Sequence, residues 1–179
     1  MDFIRLSEEH LELVLRWRTS KHVTKYMYTD IEFNMENQNK WYSKVNDDPS
    51  QKYWIISYNG EYIGLVSLND FDLKNARSSW AFYIGENKYA MIAGRIGPYI
   101  YNYAFSHLKL NKLYGEVLEE NKSVRKMHLM NGCREVGYFS NHILKHNKYH
   151  NVYLYEMMAN DWNREENKYL NVVGRFEDQ

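Results

Sequence analysis

The dipeptide Asn59-Gly60 stands between two apolar, β-branched and aromatic stretches, residues 53–58 and 62–68. Asn-Gly accepts positive φ at both central positions of a type I′ turn, so it folds the flanking stretches back on each other as an antiparallel hairpin. A third strand-like stretch, 78–84, follows the polar segment 69–77. Ahead of the hairpin lie a short alternating stretch at 2–6 and two amphipathic helical patterns. The first starts after Ser7 and runs to about Arg18; the second starts near Asn34 and carries Met35, Trp41, Tyr42 and Val45. Behind it come a helix over 93–108, a strand over 112–118, a helix over 123–130 ended by Asn131-Gly132, and strands near 134–139 and 148–158. The tail from Asn163 reads as a short helix or a frayed end. The order β-α-α-β-β-β-α-β-α-β-β defines an α+β chain, a mixed α/β sheet flanked by helices. No linker or fixed-period repeat divides it, so residues 1–179 read as one domain.

Lys plus Arg number 23 and Asp plus Glu number 23, which leaves no net charge. A neutral chain argues against non-specific nucleic-acid binding and against electrostatic attachment to a membrane. The single cysteine, Cys133, rules out a disulfide within the chain and a cysteine-based zinc site. It reads as a small buried hydrophobe near a helix end. His142, His146 and His150 recur at four-residue spacing, but in a loop-to-strand segment among Asn and Lys, and no metal site is expected. The start MDFIRLSEEH lacks the form of a signal peptide, and no apolar run reaches the roughly 18 to 20 residues of a membrane span, so the expected compartment is the cytoplasm.

Two places carry chemistry. Between the strand ending at Ile84-Gly85 and the helix opening near Ala93, main-chain N–H groups at a helix N-terminus form an anion site. Ala90, Ala93 and Gly94 are small enough to let a phosphate approach, and Lys88 and Arg95 add positive charge. Further on, Asn121 ends a strand and precedes a helix, which also suits a plain N-cap. His128 lies seven residues later, about two helical turns, so both can face one cleft.

Together these features resemble the GCN5-related N-acetyltransferases (GNAT). In that family a strand, a turn of form (Q/R)-x-x-G-x-(G/A) and a helix bind acetyl-CoA, and a following strand-Asn-helix unit completes the site. The turn here reads Lys88-Tyr89-Ala90-Met91-Ile92-Ala93, with Lys88 for the usual Gln or Arg, Met91 for the first Gly, and Ala93 fitting the last position. The segments Arg16-Trp17-Arg18, Tyr26-Met27-Tyr28 and Ile63-Gly64-Leu65-Val66-Ser67 are similar to a narrower group, the PseH type. Those enzymes acetylate the 4-amino group of a UDP-linked amino-dideoxy sugar on the route to pseudaminic acid.

The resemblance implies acetyl-CoA as donor, no metal, and direct transfer in a ternary complex. It places the donor against Tyr83, Ile84, Lys88, Met91, Ile92, Ala93, Gly94, Arg95, Asn121 and Lys126. A main-chain N–H near Tyr83-Ile84 would polarise the thioester. His128 stands where the family usually has a Tyr and is assigned the acid's work; Glu116 is the candidate base, with Ser67 a relay or substrate contact. Arg18 would pair with a nucleotide phosphate, and Trp17, Met27, Gln38, Trp41 and Trp80 would contact the base or sugar, although core packing accounts equally for the Trp residues on helices. The expected partner is a small nucleotide-sugar amine, and the chain a monomer or homodimer. The alternatives are acetylation of a protein N-terminus, a polyamine or another small amine, and a non-catalytic acyl-CoA-binding module.

Overall fold

The computed structural model describes residues 1–164 and 167–177. Its centre is one mixed sheet of eight strands in the order β6-β7-β5-β4-β3-β2-β1-β8. The first half is β1 (Asp2–Arg5), β2 (Lys52–Tyr58), β3 (Glu61–Asp72) and β4 (Arg77–Ile84), each antiparallel to the next. Asn59 and Gly60 take φ of 51° and 80°, the two left-handed positions that a type I′ turn requires. The second half is β5 (Lys112–Leu118), β6 (Arg134–Lys145) and β7 (Lys148–Met158), with β7 antiparallel to both others.

Alternation along the strands covers both faces. Trp54 and Ile56 of β2, with Val66 and Leu68 of β3, join Ile96, Ile100, Tyr101 and Ala104 in the larger core. Ile55 and Leu65 point the other way, onto Leu11, Val14 and Trp17 of α1 (Leu11–Thr19). The short α2 (Lys21–Thr24) and α3 (Met35–Asn46) continue that layer; Asn34 caps α3 by accepting from the Asn37 amide at 3.0 Å. On the opposite face α4 (Ala93–Asn102) leads into a single π-type turn, Tyr103–His107, rather than running on as regular helix to residue 108. A Cβ on Gly97 would lie 2.4 Å from Asn131 Nδ2, so glycine there permits the close approach of α4 to the end of α5 (Lys122–Met130).

Two expectations are corrected. The β6–β7 hairpin extends to Lys145 and Lys148, well beyond residue 139, and turns at His146 and Asn147, both left-handed. The described part of the tail is neither frayed nor mainly helical. After a one-turn α6 (Ala159–Trp162) it ends in β8 (Arg175–Phe176), parallel to β1, with Phe176 stacked on Phe3 and Tyr103 at 4.0 and 3.9 Å. Residues 165, 166, 178 and 179 of that tail lie outside the described residues. Among the described residues no helix is long and apolar enough to cross a membrane.

Candidate active site

The two half-sheets are joined by a parallel ladder of three rungs, Arg77↔Lys112, Ser78↔Leu113 and Ser79↔Tyr114. Beyond Ser79 the strands part. From Trp80 to Ile84, β4 has no ladder partner on its β5 side, so main-chain donors of this segment are left facing the gap. The gap opens into a cleft of about 1210 Å³ whose wall draws on β3, β4, β5, α1, α3 and α5. His128, Glu116 and Ser67 all line it.

At one end of the cleft a 3-10 turn, Asn87–Ile92, runs directly into α4 at Ala93. Asn87, Ala90 and Ala93 reach the cleft wall, as do Tyr83 and Ile84, at the positive end of the α4 dipole. Met91, which replaces a glycine of the family pattern, is 96% exposed and points away from the cleft. Lys88 is turned to Glu61 in an ion pair and lies over the Tyr89 ring. Ile92, Gly94, Arg95 and Lys126 contribute no side-chain surface to the wall; their nearness to it is a matter of backbone position, and Gly94, Arg95 and Lys126 are exposed. Asn121 lines the cleft and also caps α5, accepting from the Val124 amide at 3.4 Å.

His128 sits on the buried face of α5. Its ring stacks on Tyr155 with centroids 5.0 Å apart and meets Trp80 edge-on at 5.5 Å. Burial alone pushes its pKa down to about 4, so the ring is neutral at pH 7. A neutral imidazole can donate one N–H but has no spare proton to hand over, which limits it to a hydrogen-bonding role at a departing thiolate.

Glu116 is exposed at the cleft mouth and accepts from the Tyr28 hydroxyl at 2.8 Å. Burial, then the Glu116 contact, raises the Tyr28 pKa, so the phenol keeps its proton and remains the donor. Ser67 is buried and accepts from Asn69 Nδ2 at 3.0 Å, which leaves its own O–H as the free donor. Tyr28 and Asn69 carry no local sequence signal for these roles.

The acceptor side differs from expectation at two residues. Trp17 does not reach the cleft. Its ring covers Gly85, where a Cβ would lie 2.1 Å from Trp17 Cγ, and its indole N–H donates to Glu86 at 2.8 Å. Its amphipathic position on α1 is therefore core packing. Arg18 lines the cleft, but its Nη2 donates to the Thr29 carbonyl and hydroxyl at 2.7 and 3.1 Å, and its Nη1 to Thr24 Oγ1 at 3.3 Å. The fork expected for a phosphate is instead spent on holding the 24–29 loop. Met27, Gln38, Trp41 and Trp80 all line the cleft. Two buried polar atoms in this wall, the Gln38 amide nitrogen and the Tyr83 hydroxyl, have no protein partner.

The same loop is held from the other side. Lys145, buried near the tip of the β6–β7 hairpin, donates to the Thr24 and Met27 carbonyls at 2.7 and 3.0 Å and pairs with Asp30 at 2.9 Å. Lys145, Thr24 and His146 hold the Asp30 carboxyl well below the usual range. His150 pairs with Glu120 instead, so the histidine row diverges to separate partners. Among the described residues no group of three or more His, Cys, Asp and Glu is placed to hold a metal ion.

A sheet that splays between its fourth and fifth strands, with a helix starting at one end of the gap, is the architecture of an acetyltransferase. The Acetyltransferase (GNAT) domain matches residues 2–134; the chain belongs to that family and is an N-acetyltransferase. It is similar to acetyltransferase PseH of Campylobacter jejuni subsp. jejuni serotype O:23/36 (strain 81-176), 25% identical over 134 residues that make up 73% of this chain and 80% of the relative. The PseH of a second C. jejuni strain, of serotype O:2, is 21% identical over the same shares. In fold it is similar to the spermidine N-acetyltransferase of Vibrio cholerae in complex with CoA and spermine, at a TM-score of 0.82 and 17% identity over 90% of this chain and 97% of that one.

Proposed function

We propose that this enzyme moves the acetyl group of acetyl-CoA to the 4-amino group of a nucleotide-linked amino-dideoxy sugar of the pseudaminic-acid type, by direct attack within a ternary complex. The residues fit the donor. The cleft is large, Met91 does not plug it, and small residues stand where the diphosphate approaches α4. The main chain from Lys88 to Arg95 cradles that diphosphate, while Tyr83, Ile84 and Asn121 border the arm that leads to the thioester, with Lys126 at the outer edge. Acetyl-CoA is a cytoplasmic metabolite, and the same reading places the enzyme there.

Acetyl-CoA supplies an acyl group activated as a thioester. An outward N–H at the end of β4 donates to its carbonyl oxygen; one such donor is worth roughly 3 kcal/mol at the transition state. Glu116 takes a proton from the substrate ammonium, directly or through a water, and frees the amine lone pair. The amine nitrogen then bonds to the carbonyl carbon as the C–S bond breaks. The second proton released by that nitrogen ends on the sulfur. His128 donates its N–H to the sulfur as negative charge develops there, and Ser67 orients the amine.

The observation that carries the choice of acceptor is the likeness in sequence to PseH, which spans 73% of this chain and 80% of that relative. The likeness in fold to a spermidine acetyltransferase keeps polyamines as the second reading.

The test is CoA release with acetyl-CoA and matched acceptors: a UDP-linked 4-amino-4,6-dideoxy sugar, spermidine, and a peptide with a free N-terminus. The sugar is expected to give a kcat/KM at least about a hundredfold above the others, the discrimination available to a site whose buried polar groups require a partner. A higher value for spermidine or the peptide rejects the sugar assignment. His128→Ala with unchanged kcat rejects the role given to His128.

A further inference from the structure

Helix α5 ends in a left-handed glycine, and this brings Cys133 back under His128. Gly132 has φ of 87°, the Gly132 N–H bonds to the Leu129 carbonyl, and the Cys133 N–H bonds to the His128 carbonyl at 3.0 Å. The turn places Cys133 Sγ 3.6 Å from Nδ1 of His128. The far side of the sulfur meets the Tyr101 hydroxyl at 2.9 Å. Tyr101 in turn meets the Trp80 ring edge-on, with centroids 5.4 Å apart. All four side chains are buried.

The direction of this contact follows from donor strength: a phenol O–H is a strong donor and a thiol S–H a weak one, so Tyr101 turns its proton to the sulfur. The sulfur, accepting there, has its S–H left for the one remaining partner, Nδ1 of His128. Burial lifts the Cys133 thiol up to about 11 and Tyr101 well above its ordinary value, so both protons are present at pH 7. A ring that accepts at Nδ1 carries its hydrogen on Nε2. That is the ring edge opposite the buried sulfur, and His128 is part of the cleft wall.

We propose that Cys133 is a positioning residue for acetyl transfer: its thiol donates to Nδ1 of His128 and holds the ring as the tautomer whose Nε2–H serves the leaving sulfur. The proposal rests on the reading of His128 given above. It makes the single cysteine neither a nucleophile nor mere filler, and Tyr101 becomes the anchor that orients it.

The test is nitrogen NMR of the full chain with ring-labelled histidine at pH 7, read together with steady-state kinetics. The wild-type His128 is expected to show a bare Nδ1 and a protonated Nε2. Cys133→Ala is expected to change the Nδ1 resonance and the tautomer ratio, and to lower kcat about fivefold at little change in acetyl-CoA KM, the worth of one ordinary hydrogen bond. Cys133→Ser keeps a donor of the same polarity and is expected to stay within about twofold of wild type. A wild-type ring with its proton on Nδ1 overturns the proposal. So does a Cys133→Ala variant with unchanged nitrogen spectrum and kcat. Should that variant fail to fold, the wild-type spectrum decides by itself. Full activity in His128→Ala is a separate failure: it removes the donor role of His128, whatever the spectrum says of its contact with Cys133.

Discussion

The Tyr28 hydroxyl donates to Glu116 Oε2 at 2.8 Å, joining a loop of the N-terminal layer to β5 across 88 residues of chain. The contact holds the one carboxylate of the proposed catalytic group at the cleft mouth in a fixed place. Glu116→Gln is expected to lower kcat about a hundredfold with acetyl-CoA KM little changed, the lower range for losing a general base. Tyr28→Phe leaves the carboxylate but frees it, and is expected to lower kcat only about fivefold. Initial rates over both substrates check the order; a Tyr28→Phe loss larger than that of Glu116→Gln would reassign the pair.

Local signals made much of this architecture legible. Asn59-Gly60, the cap at Asn121 and the stop at Asn131-Gly132 are set by a few neighbouring residues, and each lies where the sequence reading has it. Contacts between distant segments were not legible. β8 is two residues long and exists only because β1 accepts it. The β6–β7 hairpin turns at His146-Asn147 with no glycine to mark it. His128, Glu116 and Ser67 are named on the resemblance to the family, and all three line the one gap. Tyr28 and Lys145 could not be named, since each acts on a segment more than 80 residues away. Trp17 was ambiguous in principle, because an amphipathic pattern gives a buried face without saying what that face covers.

The Trp17 ring on Gly85 gives a stability prediction. Any side chain at 85 must displace the indole, since even a Cβ would lie 2.1 Å from the ring. The His22 Nε2–H donation to the Gly85 carbonyl at 2.9 Å fixes the same turn. Gly85→Ala is expected to lower the free energy of unfolding by ~1–3 kcal/mol, the usual range for overpacking. Urea unfolding measures it. In the background of Trp17→Ala the same change is expected to be nearly silent, a coupling that a strained backbone at 85 alone would not produce.

Burial of His128 sets a pH dependence of stability. The folded ring takes a proton only near pH 4, while an unfolded histidine does so near 6.5. The folded state therefore binds fewer protons between these values. The stability tied to the neutral ring is complete above about pH 6.5 and is lost as the pH falls towards 4, to a total of ~3 kcal/mol. Unfolding free energies of the wild type and His128→Phe, measured from pH 7 to 4, are expected to converge as the pH falls. Parallel curves would show that the folded ring takes up its proton at the same pH as the unfolded one.

The hairpin tip provides a way to separate the two substrates kinetically. Lys145 satisfies the carbonyls of Thr24 and Met27 and faces Asp30, so it braces from one side the loop that Arg18 braces from the other. The loop carries Met27 and Tyr28, which line the cleft on its proposed acceptor side. Lys145→Met keeps the length and apolar stem of the side chain but removes all three donors. Misplacing a substrate-positioning loop raises the cost of reaching the reactive geometry, so the acceptor KM is expected to rise about tenfold or more and kcat to fall with it. Acetyl-CoA KM is expected to stay within about twofold, because the proposed donor site lies on the main chain at the other end of the cleft. Equal weakening of both substrates would mean that the hairpin supports the whole cleft rather than the acceptor loop alone.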